Sequence, residues 1–285
     1  MDKNLNKNNY LKETLIRSNH FFCISHYDGD LSWVKYIKKS KYIIYNKSKN
    51  KLEDNLNSKK IKNFGYNLYS YLLYICDNYE NLPDTIVFCK DNVFTRHIKE
   101  ETFIKLLRNN IFTSLEDINY FENSSIINII VSDYGFCEIN NSWYKNNFPR
   151  KYFSDFNNFY NFIFESDSYP QYIKFSPGAN YIVPRENILL RSKNFYANLI
   201  KLLDHNKLSC ESHFLERSLI TIWTSNVQTS KMMNLNLSKS QLSNLANKCN
   251  LEIKNQPLIL FKFRKILLYL FSKFSFYILK FLIKS

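Results

Sequence analysis

A strand, an amphipathic helix and a second strand, read in that order from the residue pattern, constrain this chain more than any other feature. From Tyr66 to Tyr79 the apolar residues Leu68, Tyr71, Leu72, Ile75 and Tyr79 recur at spacings of three and four, the period of a helix with one buried face. Leu82-Pro83-Asp84 then turns the chain into the apolar run Thr85 to Cys89. His20 to His26 (HFFCISH) and Lys41 to Asn46 (KYIIYN) are similar runs upstream. Continuous apolar strands are covered on both faces, and strands linked by crossover helices form parallel sheets. The expected fold class is therefore α/β, a Rossmann-type, mostly parallel sheet flanked by helices.

The remaining pattern fills in around that unit. YDGDLSWVKYI, between the first two strands, reads as a turn and a short helix, and Lys47 to Lys62 as a charged loop. Glu100 to Asn109 reads as a helix and Ile126 to Ser132 as a buried strand. Asn140 to Asp167 is expected to pack helices and loops over one edge, and Lys174 to Arg185 to run as loop, strand, loop. Helices are expected at Lys193 to Asp204, Ser212 to Ser225 and Gln241 to Asn250. The chain divides into an N-terminal arm or leading helix at 1–20, an α/β domain at 21–228, a linker and helix at 229–257, and a tail at 258–285.

The formal charge of +14 is concentrated in two places. Lys35 to Lys62 holds ten lysines against two acids, and Leu251 to Ser285 holds six lysines and one arginine against one glutamate. Together they account for the whole excess, so the rest of the chain is balanced, and nucleic acid is not the expected partner. Six cysteines with no C-x-x-C pair read as reduced. The first residues lack a signal-peptide core, and a cytoplasmic location is expected.

After Pro257 the tail is almost entirely Leu, Ile, Phe, Tyr and Lys. On a wheel of about 100° per residue Lys262, Lys273, Lys280 and Lys284 fall within roughly 40°, with Lys265 adjacent. Lys273 would cost about 3 kcal/mol at the centre of a bilayer, whereas an in-plane helix places the cationic stripe among anionic headgroups. The expectation is a basic amphipathic helix lying on the inner face of a membrane; a helix docked on the protein itself is the alternative.

Four places carry residue types suited to chemistry. Asp28-Gly29-Asp30 matches a D-x-D metal motif, yet directly after a first strand its acids are better placed to meet the base or ribose of a nucleotide, or simply to form a turn. Asn63-Phe64-Gly65 precedes the helix near Tyr66, whose free amides would suit a phosphate or a sugar hydroxyl. Asp91 and His97 follow the strand ending at Cys89, where a parallel sheet delivers polar groups to its binding edge. His213, Glu216 and Arg217 share a helix; Glu216 beside a cation is a candidate general base, and a buried pair fixing the helix is the alternative.

YDGDLSWVKYI, KYIIYNKS, the N-x-G entry, YLLYICDNYENLPDTIVF with the following His97, SPGANYIVPRENIL and HFLERSLITIW, in this order, resemble an uncharacterised family of glycosyltransferase-like proteins met in bacterial surface-polysaccharide loci, fungi and large viruses. The resemblance spans roughly residues 20 to 226. It implies a GT-A-like fold, and it puts Asp28, Asp30, Asn63, Gly65, His97, Glu216 and Arg217 at recurrent positions. Two positions depart from the family pattern: N-x-G-R-E reads Asn63-Phe64-Gly65-Tyr66-Asn67, and a common glycine is Asp91.

The expected function is transfer of a sugar from a nucleotide-sugar donor to a glycan or lipid-linked acceptor, with Glu216 catalytic and Asp28, Asp30, Asn63, Gly65, Asp91, His97, His213 and Arg217 binding substrate or donor. A metal, manganese or magnesium, is left open. The alternative is a non-catalytic binding or scaffolding subunit of the same fold in a membrane-associated glycan assembly.

Overall fold

The structure, a computed structural model, describes residues 3–117, 129–132, 135–140, 148–166 and 169–254. The tail at 258–285 lies outside them, so the expected membrane helix does too. Among the described residues no helix is long and apolar enough to cross a membrane.

A six-stranded sheet forms the centre, in the order Ser58–Lys60, Tyr42–Asn46, Phe21–His26, Thr85–Lys90, Tyr181–Pro184, Thr113–Ser114. Strands β1 (Phe21–His26), β2 (Tyr42–Asn46), β3 (Ser58–Lys60) and β4 (Thr85–Lys90) run parallel. The register sets Phe22 beside Tyr42 and Val87, and Ser25 beside Tyr45 and Lys90. Strand β9 (Tyr181–Pro184) pairs antiparallel with β4, and the two-residue β5 (Thr113–Ser114) with β9. The apolar runs at His20, Lys41 and Thr85 thus lie side by side, as a parallel sheet requires.

Alternation along these strands feeds two cores. Cys23, Ile86 and Phe88 face one cluster, with Leu72 and Ile75 of α2 (Leu68–Asn78), Leu199 of α7 (Lys193–Leu203) and Trp223 of α8 (Cys210–Thr224). Phe22, Ile24, Val87 and Cys89 face the other, with Leu11 and Leu15 of α1 (Lys3–Arg17), Trp33, and Phe103 of α4 (Glu100–Leu106). Burial on both faces is why β1 and β4 read as continuous apolar runs rather than alternating ones.

Several expectations change. The 47–62 segment is not all loop: Ser58–Lys60 forms the edge strand β3, its three residues exposed, so no apolar pattern marks it. Strand β6 (Ile129–Ser132) belongs to a separate antiparallel sheet with β7 (Gly135–Ile139) and β8 (Tyr172–Lys174). Of the two readings of the leading segment the helix holds, and its Leu11 and Leu15 are buried. Short helices α3 (Val93–Arg96), α5 (Phe156–Ile163) and α6 (Arg185–Leu189) complete the domain, and α9 (Lys239–Lys254) follows the linker. The cysteines at 23, 76, 89, 137 and 210 are free thiols.

Candidate functional site

In an open parallel sheet, ligands bind beyond the carboxyl ends of the strands, where consecutive connections leave in opposite directions. Here the chain steps from β1 to β2 on one side and then returns to place β4 on the other side of β1. A cleft of about 420 Å³ opens at that switch point, lined by residues from the ends of β1 (Ser25, Tyr27) and β4 (Lys90, Asp91) and from the entry to α2 (Asn63, Tyr66, Asn67).

Its charge is uneven. Lys47, Lys90, Arg96 and Lys207 line the cleft against two carboxylates, Asp28 and Asp91. Lys47 and Lys90 are buried. Lys47 Nζ donates to Phe64 O at 3.3 Å, and Lys90 Nζ to Tyr66 Oη at 2.5 Å. Among the described residues none of the four cations has a carboxylate in ion-pair contact. Burial brings the Lys47 ammonium down to about 7 despite the opposing pull of Cys23 and Asp91. Burial, then the charge of Arg96, brings Lys90 down to about 8.

Asp91 closes the cleft floor as a fastener. One of its oxygens accepts from Tyr27 N and Gly29 N, each at 2.8 Å, and lies 2.9 Å from His26 Nδ1; the other accepts from Asn92 N at 2.8 Å. Burial pushes this carboxyl up, but the donors from His26, Tyr27 and Gly29 outweigh it and hold it below its ordinary value. A Cβ on Gly29 would sit 2.5 Å from Asp91 Cγ, so the glycine of Asp28-Gly29-Asp30 is there to admit the carboxylate. Asp30 is spent on its own turn, accepting from Ser32 N at 2.8 Å and Ser32 Oγ at 2.7 Å. Asp28 alone of the triplet is exposed on the cleft without such bonds.

Two of the amides expected to be free at the entry to α2 are taken. Gly65 N donates to Asn206 O at 2.9 Å and Tyr66 N to Lys207 O at 2.8 Å, because the 206–207 turn packs across them. Asn63 does line the cleft, whereas Gly65 is buried and does not. Tyr66 holds φ 54, a left-handed conformation that brings its ring under Lys90 Nζ at 4.5 Å from the centroid.

Glu216, Arg217, His213 and His97 stand behind the cleft rather than in it. Glu216 Oε1 accepts from Gly178 N at 2.8 Å, and its other oxygen lies 3.2 Å from Arg217 Nη1 and 4.0 Å from His213 Nδ1. Burial raises the Glu216 carboxyl, opposed by Arg217, the Gly178 amide and Lys90. Arg217 is held from two sides, by a two-pronged pair with Glu138 on β7 and by the Phe175 ring 4.3 Å away. His97 and His213 are each brought down to about 3, by burial first and then by neighbouring cations. Both are neutral at physiological pH.

These groups reach the cleft through the 176–180 loop. Gly178 has φ 82, and a Cβ there would lie 2.7 Å from the His97 ring, so glycine is required twice over. While Glu216 takes its N–H, Gly178 O accepts from Asn67 Nδ2 at 2.6 Å; Asn180 Oδ1 accepts from Lys90 N at 3.1 Å. Two residues of the cleft lining are thus positioned by a loop that α8 grips from behind.

Sequence reasoning placed Lys90 and Arg96 in the polar run after Cys89 and Tyr66 and Asn67 in the entry to α2 without singling them out as site residues, and it missed Lys47 and Lys207. For Lys47 and Lys90 a signal existed, since each stands at the carboxyl end of an apolar parallel strand. Glu138, which orients Arg217, had none.

The comparisons bear on family alone. A family model described as "Protein of unknown function (DUF3431)" matches residues 23–239. The chain belongs to this family. The DUF3431 match contains the whole six-stranded sheet except Phe21 and Phe22, and every residue that lines the cleft. No curated protein and no solved structure matches the chain significantly.

Proposed function

We propose that this DUF3431 protein is a glycosyltransferase of GT-A-like fold that moves a sugar from a nucleotide donor to a glycan or lipid-linked acceptor. The observation that carries the reading is the position of the cationic cleft. It lies beyond the carboxyl ends of β1 and β4, where an α/β sheet receives nucleotides, and carries more positive than negative side chains, as a phosphate-bearing ligand requires. Asp28 faces the cleft where ribose hydroxyls need an acceptor. The basic amphipathic segment at 258–285, laid on an anionic membrane, would hold the enzyme near an acceptor carried on lipid.

Within this reading Glu216 supports the site through Gly178. A second reading, a binding or scaffolding subunit without turnover, is favoured by one observation: both oxygens of Glu216, and both of Asp91, are engaged by the protein itself. Thermal-shift measurements with a panel of nucleotide sugars and nucleoside diphosphates test the first reading. Stabilisation by at least one of them is expected, and none from any member would overturn the enzyme and leave the scaffold. Release of free nucleoside diphosphate in the presence of an acceptor then separates enzyme from scaffold.

A further inference from the structure

The D-x-D triplet invites a divalent metal bridging two carboxylates and the donor diphosphate, and the residues present do not fit that role. A hard divalent cation takes several oxygen ligands with free lone pairs. Asp30 has turned both oxygens to Ser32. Asp91, the other acid near Asp28, has one oxygen filled by Tyr27 N, Gly29 N and the His26 contact, and its other oxygen accepts from Asn92 N. Freeing Asp91 would strand the three backbone N–H donors it now satisfies, those of Tyr27, Gly29 and Asn92. Among the described residues no three His, Cys, Asp or Glu side chains are grouped to hold a metal.

The same cleft holds what a diphosphate needs without one. Lys47 extends beyond β2 and Lys90 closes β4, so two buried ammonium groups approach the cleft from the two strands that flank β1. Arg96 and Lys207 are exposed at its border. Two ammonium groups without a carboxylate partner are costly to bury, and an incoming dianion relieves that cost. Two backbone donors at the entry to α2, Gly65 N and Tyr66 N, are already satisfied by the 206–207 segment, so the positive charge at the cleft is carried by these side chains.

We propose that the cleft binds the diphosphate of a nucleoside diphosphate through Lys47, Lys90, Arg96 and Lys207 in place of a divalent metal. This rests on the nucleotide reading of the cleft and deepens it: the side-chain cations supply the positive charge, and the Asp28-Gly29-Asp30 triplet is a turn with one ligand-facing acid.

Isothermal titration of the full-length protein with uridine, guanosine and adenosine diphosphates, and with inorganic pyrophosphate, tests it, each in EDTA and in manganese. The expected result is that the diphosphate that binds does so with the same affinity, within about twofold, in both buffers. Lys90→Gln and Arg96→Gln should each weaken it about tenfold, the order expected for loss of a charge-assisted contact. The corresponding nucleoside should bind the variants and the wild type alike. Arg96 is exposed, so its variant keeps the experiment decisive should Lys90→Gln fold poorly. Binding seen only with manganese, or unchanged in both variants, overturns the metal-free cradle while leaving the nucleotide reading intact. Absence of binding by every probe in both buffers overturns the two together.

Discussion

The carboxylate of Asp91 reaches the backbone N–H of Gly29 at 2.8 Å, across 62 positions of sequence, and occupies the space where any side chain at 29 would begin. This one contact ties the loop leaving β1 to the loop leaving β4 and so sets the floor of the cleft at the switch point.

Asp91→Asn should therefore act on stability first. Its amide turns an NH₂ toward backbone donors, leaving at least one N–H unpaired at a cost of about 1–3 kcal/mol, or about 2–9 °C in melting temperature for a chain of this size. Gly29→Ala should lower the melting temperature similarly by displacing the carboxylate. An unchanged melting curve for both would remove Asp91 from the fastening role.

Lys47→Met should move stability the other way. The buried ammonium is held down to about 7 from an ordinary value of 10.5, with Cys23, Lys90 and Asp91 as the titratable groups around it. Replacing it by an apolar side chain should raise the melting temperature by about 2–4 °C at pH 7. The same variant should lose affinity for nucleoside diphosphates, so stability and binding would part in opposite directions.

The two lysines also set a pH dependence. Their folded pKa values, about 7 and about 8, lie below the ordinary 10.5, so between these limits the unfolded chain binds more protons than the folded one. These two groups therefore make stability rise with pH from about 7 toward 10.5. Binding of an anion runs oppositely: it needs both ammonium groups, so affinity should begin to fall above about pH 7, where Lys47 deprotonates, and steepen above about 8, and binding should take up protons. Calorimetry in buffers of different ionisation enthalpy reads that uptake directly; proton release would contradict it. The titratable groups facing Lys90 are Arg96, Glu216, Asp91, Lys47, His97 and the Tyr66 hydroxyl.

Much of this architecture was legible in the sequence, because β1, β2, β4 and α2 are buried and burial writes itself as apolar pattern. The exposed edge strand β3 left none. The antiparallel direction of β9 was not legible either, since strand polarity follows from tertiary connection and not from residue type. The cleft was half legible: Asp28, Asn63 and Asp91 do converge. Lys47 and Lys90 were hidden by the abundance of lysine, 39 Lys and Arg in all, which makes any single one unremarked until its burial is known. The GT-A-like resemblance directed attention to Glu216, yet its oxygens meet Gly178 and Arg217.

Glu216→Gln should accordingly lower the melting temperature by several degrees, because Arg217 loses one of its two carboxylates and Glu216 is buried. Nucleotide affinity should change less than in Lys90→Gln. Loss of turnover at an unchanged melting temperature would instead return Glu216 to a catalytic role.

Removing residues 258–285 should release the protein from anionic liposomes in a flotation assay, with the melting temperature of the α/β domain retained. Equal binding with and without the segment would assign membrane affinity elsewhere.

A crystal structure of the protein grown with the nucleoside diphosphate that gives the largest thermal shift measures directly where a nucleotide sits. Phosphate density is expected beyond the ends of β1 and β4, with phosphate oxygens at about 2.7–2.9 Å from Lys47 Nζ and Lys90 Nζ. Phosphates bound away from these two lysines, or held by a metal on Asp28 and Asp30, would contradict it.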